Sequence, residues 1–146
     1  MDENRNVPQG CPFQNSAQLP LDRLLPILEG AVEFAVLFGS VASGKTHAES
    51  DVDIAVWPRA GADLDRLTAE LAGALGTERL DVADLRRASG TLQQIVATRG
   101  VLLFEDRPGR FAQFAAIAER RWEDDRRRLP ELIRATDLWL QRRGLA

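Results

Sequence analysis

The chain has one cysteine, one histidine and one lysine in 146 residues, and each shortage closes off a class of chemistry. A single thiol, Cys11, cannot form an intramolecular disulfide, and alone it cannot build a cysteine-based metal cluster. His47 stands in a polar loop with no ligand partner close in sequence, so solvent exposure is the expectation for it. Lys45 is the single lysine in a chain otherwise reliant on arginine; it is either a mobile charge for phosphate or an exposed loop residue. No apolar run approaches the roughly 20 residues that span a membrane as a helix. The amino terminus lacks the basic-then-apolar pattern of an export signal, which points to the cytoplasm. Basic excess is missing too. The net charge is −3 and the pI about 5.2, against direct nucleic-acid binding through a broad basic surface.

What is present suits one domain with a real core. Residues 1–18 mix Asn, Gln, Pro and Gly without periodicity and are expected to form a flexible N-terminal tail. From Leu21 a short helix is expected, limited or kinked by Pro26. Strands follow at 32–38, 51–57, 79–85 and 101–104, with helices at 63–75, closed by Gly76, and 91–99, ended by Gly100. This order suits an α/β (α+β) fold: a small mixed β-sheet in residues 19–108, helices mainly on one face, the other left for a ligand. Residues 109–146 add C-terminal helices. Phe111, Phe114, Ala115, Ala118 and Trp122 form one apolar stripe, Pro130 is expected to interrupt it, and Leu132, Ile133, Thr136 and either Trp139 or Leu140 resume it. The stripe packs on the core, meets a partner, or does both.

Residues 38–53 satisfy two phosphate-handling patterns that cannot both operate. Gly39-Ser-Val-Ala-Ser-Gly44-Lys45-Thr46 matches a P-loop, whose Lys and Thr must open a helix that holds phosphate. Only four residues separate Thr46 from the alternating segment Asp51-Val-Asp-Ile-Ala-Val-Trp57, too few for that helix. The second pattern is Gly39-Ser40 after an apolar strand, then Asp51-x-Asp53 on the next one. A glycine lets the backbone turn sharply and approach a ligand. Side chains two apart on a strand share a face, so Asp51 and Asp53 can share hard divalent cations. Paired cations of this kind serve in-line phosphoryl displacement.

A third carboxylate is expected from Arg79-Leu-Asp81-Val-Ala-Asp84-Leu85. Asp81 and Asp84 fall on opposite faces. Ala83 beside Asp81 parallels Ala55 beside Asp53, as if both flank an open site. Asp84 sits at the strand end, where a cap or turn role suits it, with a helix expected from Arg86. Asp81 is the expected metal ligand.

Taken together, Gly39-Ser40, Asp51-x-Asp53 and the single Asp on the next strand resemble the DNA polymerase β-type nucleotidyltransferases. More narrowly, FGSVASG…SDVDIAV, then LDVADLRRAS and GVLLFED, resemble the minimal nucleotidyltransferase (MNT) antitoxins of HEPT/MNT toxin–antitoxin pairs. The resemblance implies a Mg²⁺-dependent enzyme moving AMP from ATP to a tyrosine hydroxyl of a cognate HEPT toxin, which silences the toxin. Gly39 and Ser40, with Lys45, would hold the triphosphate. Asp51, Asp53 and Asp81 would be the catalytic and Mg²⁺-binding residues of a two-metal site. Many members carry an arginine where this chain has Ser43, so that phosphate contact is either missing here or taken by Lys45. The rival readings are a non-catalytic antitoxin that acts by binding, and a small-molecule nucleotidyltransferase whose pocket forms by dimerisation. Partner expectations are the toxin and a homodimer or hetero-oligomer through the C-terminal helices, with no membrane.

Overall fold

The computed structural model describes residues 13–46 and 50–144; Cys11, His47 and residues 1–12 of the expected tail lie outside them. The strands are β1 (Val32–Phe38), β2 (Val52–Pro58), β3 (Leu80–Asp84) and β4 (Val101–Glu105). The helices are α1 (Leu21–Ala31), α2 (Gly39–Ser43), α3 (Leu64–Leu75), α4 (Gly90–Arg99) and α5 (Arg110–Arg142). The strands form one mixed sheet in the order β3-β2-β1-β4. β1 runs antiparallel to β2 and β4, whereas β2 and β3 are parallel.

Period-2 alternation divides the sheet into two faces. Ala35, Leu37, Ile54 and Val56 point to one, where Leu24 and Leu28 of α1 and Leu67, Leu71 and Leu75 of α3 cover them. Each fully buried leucine here contributes about 1.5–3 kcal/mol. Asp63 caps α3 by accepting from the backbone N–H of Asp65 and Arg66. Gly76 closes it in the left-handed region at φ 69°. Phe34, Val36 and Ala55 point to the other face and meet Leu92 and Val96 of α4 and Phe111 and Phe114 of α5. That second layer is partial and leaves one end of the sheet uncovered.

Several elements differ from the sequence expectation. Part of the expected tail is ordered: Phe13 and Leu19 are buried in the main core, with a 3-10 turn at Ser16–Gln18 between them. Gly39–Ser43 forms a five-residue helix rather than a bare turn. Helix α4 begins at Gly90, capped by the Ser89 hydroxyl, not at Arg86. Ala55 and Ala83 are register partners under the α4 cluster, so their small side chains admit a helix instead of flanking an open site. Neither proline ends its helix. Pro26 lies inside α1 and Pro130 inside α5, a single helix of 33 residues. A mid-helix proline costs ~3 kcal/mol in a lost hydrogen bond and a steric clash. At Pro130 the surrounding turn is solvent-exposed and rich in helix formers, so the freed carbonyl is left facing solvent. Among the described residues, no helix is long and apolar enough to cross a membrane.

Candidate active site

The uncovered end of the sheet is where β1 finishes and β2 begins. Phe38 is the register partner of Asp53 on one side, and Asp81 is its parallel partner on the other. The central strand thus carries Asp53 between the Gly39 turn and the β3 carboxylate. Asp51 lies just before β2, two residues from Asp53 and on its side of the chain. Asp51 and Asp81 are exposed, while Asp53 is half-buried.

Burial pushes the Asp53 carboxyl up to about 6, and the neighbouring Asp81 and Asp51 charges add to the rise. The effect of both neighbours on one group places the three carboxylates in a single electrostatic cluster. The ion pairs of Arg59, Arg66, Arg86 and Arg110 go to other carboxylates: Asp106, Glu70, Asp84, and Asp106 with Glu33. Three like charges gathered in one place fit a site completed by a cation. The described His, Cys, Asp and Glu side chains do not close into a ready-made metal cage.

Gly39 is held at φ 74°, a left-handed value that favours glycine. A Cβ there would collide with the Asp53 carboxylate, so the missing side chain is the space the carboxylate uses. Ser40 follows within α2, and its carbonyl accepts from the Lys45 N–H at 3.0 Å and the Ser43 hydroxyl at 3.1 Å. Gly44 ends α2 at φ 73°. Lys45 and Thr46 therefore leave a helix rather than open one, unlike the residues of a P-loop. The Lys45 side chain is exposed, and Thr46 donates to the Gln14 side chain at 2.9 Å.

Asp84 stands apart from the cluster. Its carboxylate accepts from the Arg86 backbone at 2.9 Å and pairs with the Arg86 guanidinium at 3.1 Å. Burial opposes ionisation of Asp84, but the Arg86 hydrogen bonds and charge prevail and hold its carboxyl below the usual value. It closes the turn after β3. Replacing Asp84 with Asn is expected to change transfer rates less than threefold, whereas Asp81→Asn lowers them at least a hundredfold. Steady-state kinetics of the two variants side by side decides this, and the reverse ranking would assign the site to Asp84.

The sequence did not single out Ser50, which is buried immediately before the carboxylate pair. A lone serine beside charged residues carries no periodic signal that marks it as buried. The close approach of Gly39 to Asp53 was equally hidden, because it joins the start of α2 to a residue of β2. A cavity lined by Glu33, Phe34, Trp57, Gln93 and Arg110 contains none of the three carboxylates. It opens beside the Phe34–Trp57–Phe114 aromatic cluster.

This arrangement defines a nucleotidyltransferase: residues 24–108 match the family described as "Polymerase beta, Nucleotidyltransferase", and the chain belongs to it. Within the family it is homologous to the protein adenylyltransferase MntA of Shewanella oneidensis. The two are 37% identical over 95 residues, a stretch covering 60% of this chain and 66% of that relative. Among solved structures, a toxin–antitoxin complex with AMP-PNP matches with a TM-score of 0.67 at 28% identity, covering 81% of this chain and 98% of the other. A tri-AMPylated Shewanella oneidensis HEPN toxin in complex with MNT antitoxin matches with a TM-score of 0.62 at 26% identity, over 82% and 97%.

Proposed function

We propose that this chain is an antitoxin that transfers AMP from ATP to a hydroxyl, that of a tyrosine, on a partner HEPN-type toxin and thereby neutralises it. The observation that carries this is the gathering of Asp51, Asp53 and Asp81 beside Gly39. The family match and the AMP-PNP-bound and AMPylated-toxin relatives support it. Asp51, Asp53 and Asp81 would hold Mg²⁺, which when bound supplies the positive charge that offsets the triphosphate and the three carboxylates.

The chain's own groups then have distinct tasks. Gly39, whose missing side chain leaves room for the Asp53 carboxylate, and Ser40 after it would hold the triphosphate beside the carboxylates. Lys45, exposed on the connection after α2, reaches for the phosphates in the place of the arginine that Ser43 replaces. Asp81, exposed on the edge strand, faces the incoming hydroxyl and takes its proton. The hydroxyl oxygen bonds to the α-phosphorus, the bond from that phosphorus to the β-phosphate bridge breaks, and pyrophosphate leaves with its electron pair. Catalysis here is positioning and charge compensation, with no covalent enzyme intermediate. The reaction belongs in the cytoplasm, where ATP and a cognate toxin are both at hand.

Incubation with a cognate HEPN-type toxin, ATP and Mg²⁺, followed by intact-mass measurement, is expected to show the toxin gaining AMP. Neutralisation without any mass gain would instead make the chain an antitoxin that acts by binding alone.

A further inference from the structure

Helix α5 extends well beyond what the domain can cover. Its first turns carry Phe111 and Phe114 into the second core layer, and Ala118 is buried. At helical spacing the same stripe continues through Trp122, Leu129, Leu132, Ile133 and Leu140. Asp125 still approaches the start of α4, lying 3.6 Å from where a Cβ on Gly90 would sit. Past that point the stripe is uncovered: Leu132 is 62% and Ile133 54% exposed, and Trp139, at its edge, is 50% exposed. A roughly 25 Å helical arm, at 1.5 Å per residue, therefore presents an apolar face to solvent.

The charge around that face narrows what can cover it. Residues 126–143 contain six arginines against Glu131 and Asp137, a net +4 in a chain of overall −3, so the rest carries −7. A second copy paired along this arm, in either direction, would bring arginine rims against each other. A flat anionic bilayer would suit the charge but not the shape. The stripe continues the face of α5 that packs on the domain, so what covers it must also fit beside the domain, which a flat surface does poorly. A folded protein can.

We infer that residues 126–143 of α5 are the docking arm for the acceptor toxin, gripping an apolar ridge or groove rimmed by Asp and Glu. This rests on the reading above that the acceptor is a protein. Docking at a distance from the carboxylates raises the effective concentration of the acceptor hydroxyl without touching the reacting atoms. Its loss should therefore appear in KM for the toxin and leave kcat intact.

The test uses the full chain with Leu132→Asp and Trp139→Ser together. A second variant carries Arg128→Glu with Arg134→Glu, and the control is Leu138→Asp. Leu138 is 55% exposed but lies off the stripe, on the reverse of the helix. Both arm variants are expected to raise KM for the toxin at least tenfold, with kcat within twofold of wild type and helicity retained by circular dichroism. The control should match wild type. If toxin is AMPylated with unchanged KM by both arm variants, the docking arm is overturned while the enzymatic reading stands. If the wild type neither binds nor modifies the toxin, both readings fall. Light scattering that shows a wild-type dimer lost in Leu132→Asp/Trp139→Ser would overturn the inference in favour of a second copy. Wild-type binding to phosphatidylglycerol vesicles, lost in the same variant, would overturn it in favour of a membrane.

Discussion

Replacing Asp53 with Asn is expected to abolish AMP transfer while making the metal-free protein more stable. The loss should reach at least three orders of magnitude in kcat, because Asp53 is the carboxylate flanked by both of the others and by the Gly39 turn. The gain in stability comes from the same geometry. In the absence of a cation, a half-buried carboxylate faces two like charges, and an amide of nearly the same shape does not. Allowing for solvent screening of a partly exposed group, the relief is about 1–2 kcal/mol. That corresponds to roughly 3–8 °C in Tm for a domain of this size. Thermal unfolding in EDTA, and again with excess Mg²⁺, measures it. Added cation should stabilise the wild type and leave Asp53→Asn nearly unmoved. A variant less stable than wild type in EDTA would mean that Asp53 is structural and that the cluster is not under electrostatic strain.

The pH dependence follows with a definite sign. The folded-state value of Asp53 is about 6, above the ordinary 3.8, so the folded protein holds that proton more tightly than the unfolded chain. The stabilisation is fully present below 3.8 and is lost as pH rises through 6. Asp84 behaves oppositely. Its lowered value gives stability that is present above 3.8 and lost as pH falls through its folded value. The two together put the stability maximum of the metal-free protein near pH 4, with a decline from there to about 6. In Asp53→Asn the decline on the neutral side should flatten, leaving the acid limb in place.

Much of the fold was legible because it rests on short-range periodicity. The alternation of Val52, Ile54 and Val56 marked β2, and Leu64, Leu67, Leu71 and Leu75 before Gly76 marked α3 within a residue of its bounds. The opposite faces of Asp81 and Asp84 were likewise readable from a period of two, and the structure puts one beside Asp53 and the other on Arg86. What was not legible depends on tertiary context. Pro130 looks like a stop in any local reading, because propensity counts the lost hydrogen bond but not the solvent that the freed carbonyl faces on an exposed arm. Phe13 sits in a segment of tail-like composition, yet one aromatic that reaches the core is enough to order its neighbours. The order β3-β2-β1-β4 has no sequence signature of its own.

Gly39→Ala is expected to disable the site by a route separable from the loss of any carboxylate. At φ 74° an alanine costs about 1–2 kcal/mol from backbone strain. Its Cβ also occupies the space of the Asp53 carboxylate, so either that carboxylate swings away from Asp81 or the turn moves outward. Both shifts misplace a group at the reaction centre, and a displacement near 1 Å is enough for a loss of about a hundredfold. A double-mutant cycle separates strain from collision. In an Asp53→Ala background the collision partner is gone, so the added Gly39→Ala should cost only the backbone term. Urea unfolding of the four proteins is therefore expected to show a coupling of about 1 kcal/mol between the two positions. Strict additivity would mean that the turn simply yields, and the absent Cβ at Gly39 would then have no part in placing Asp53.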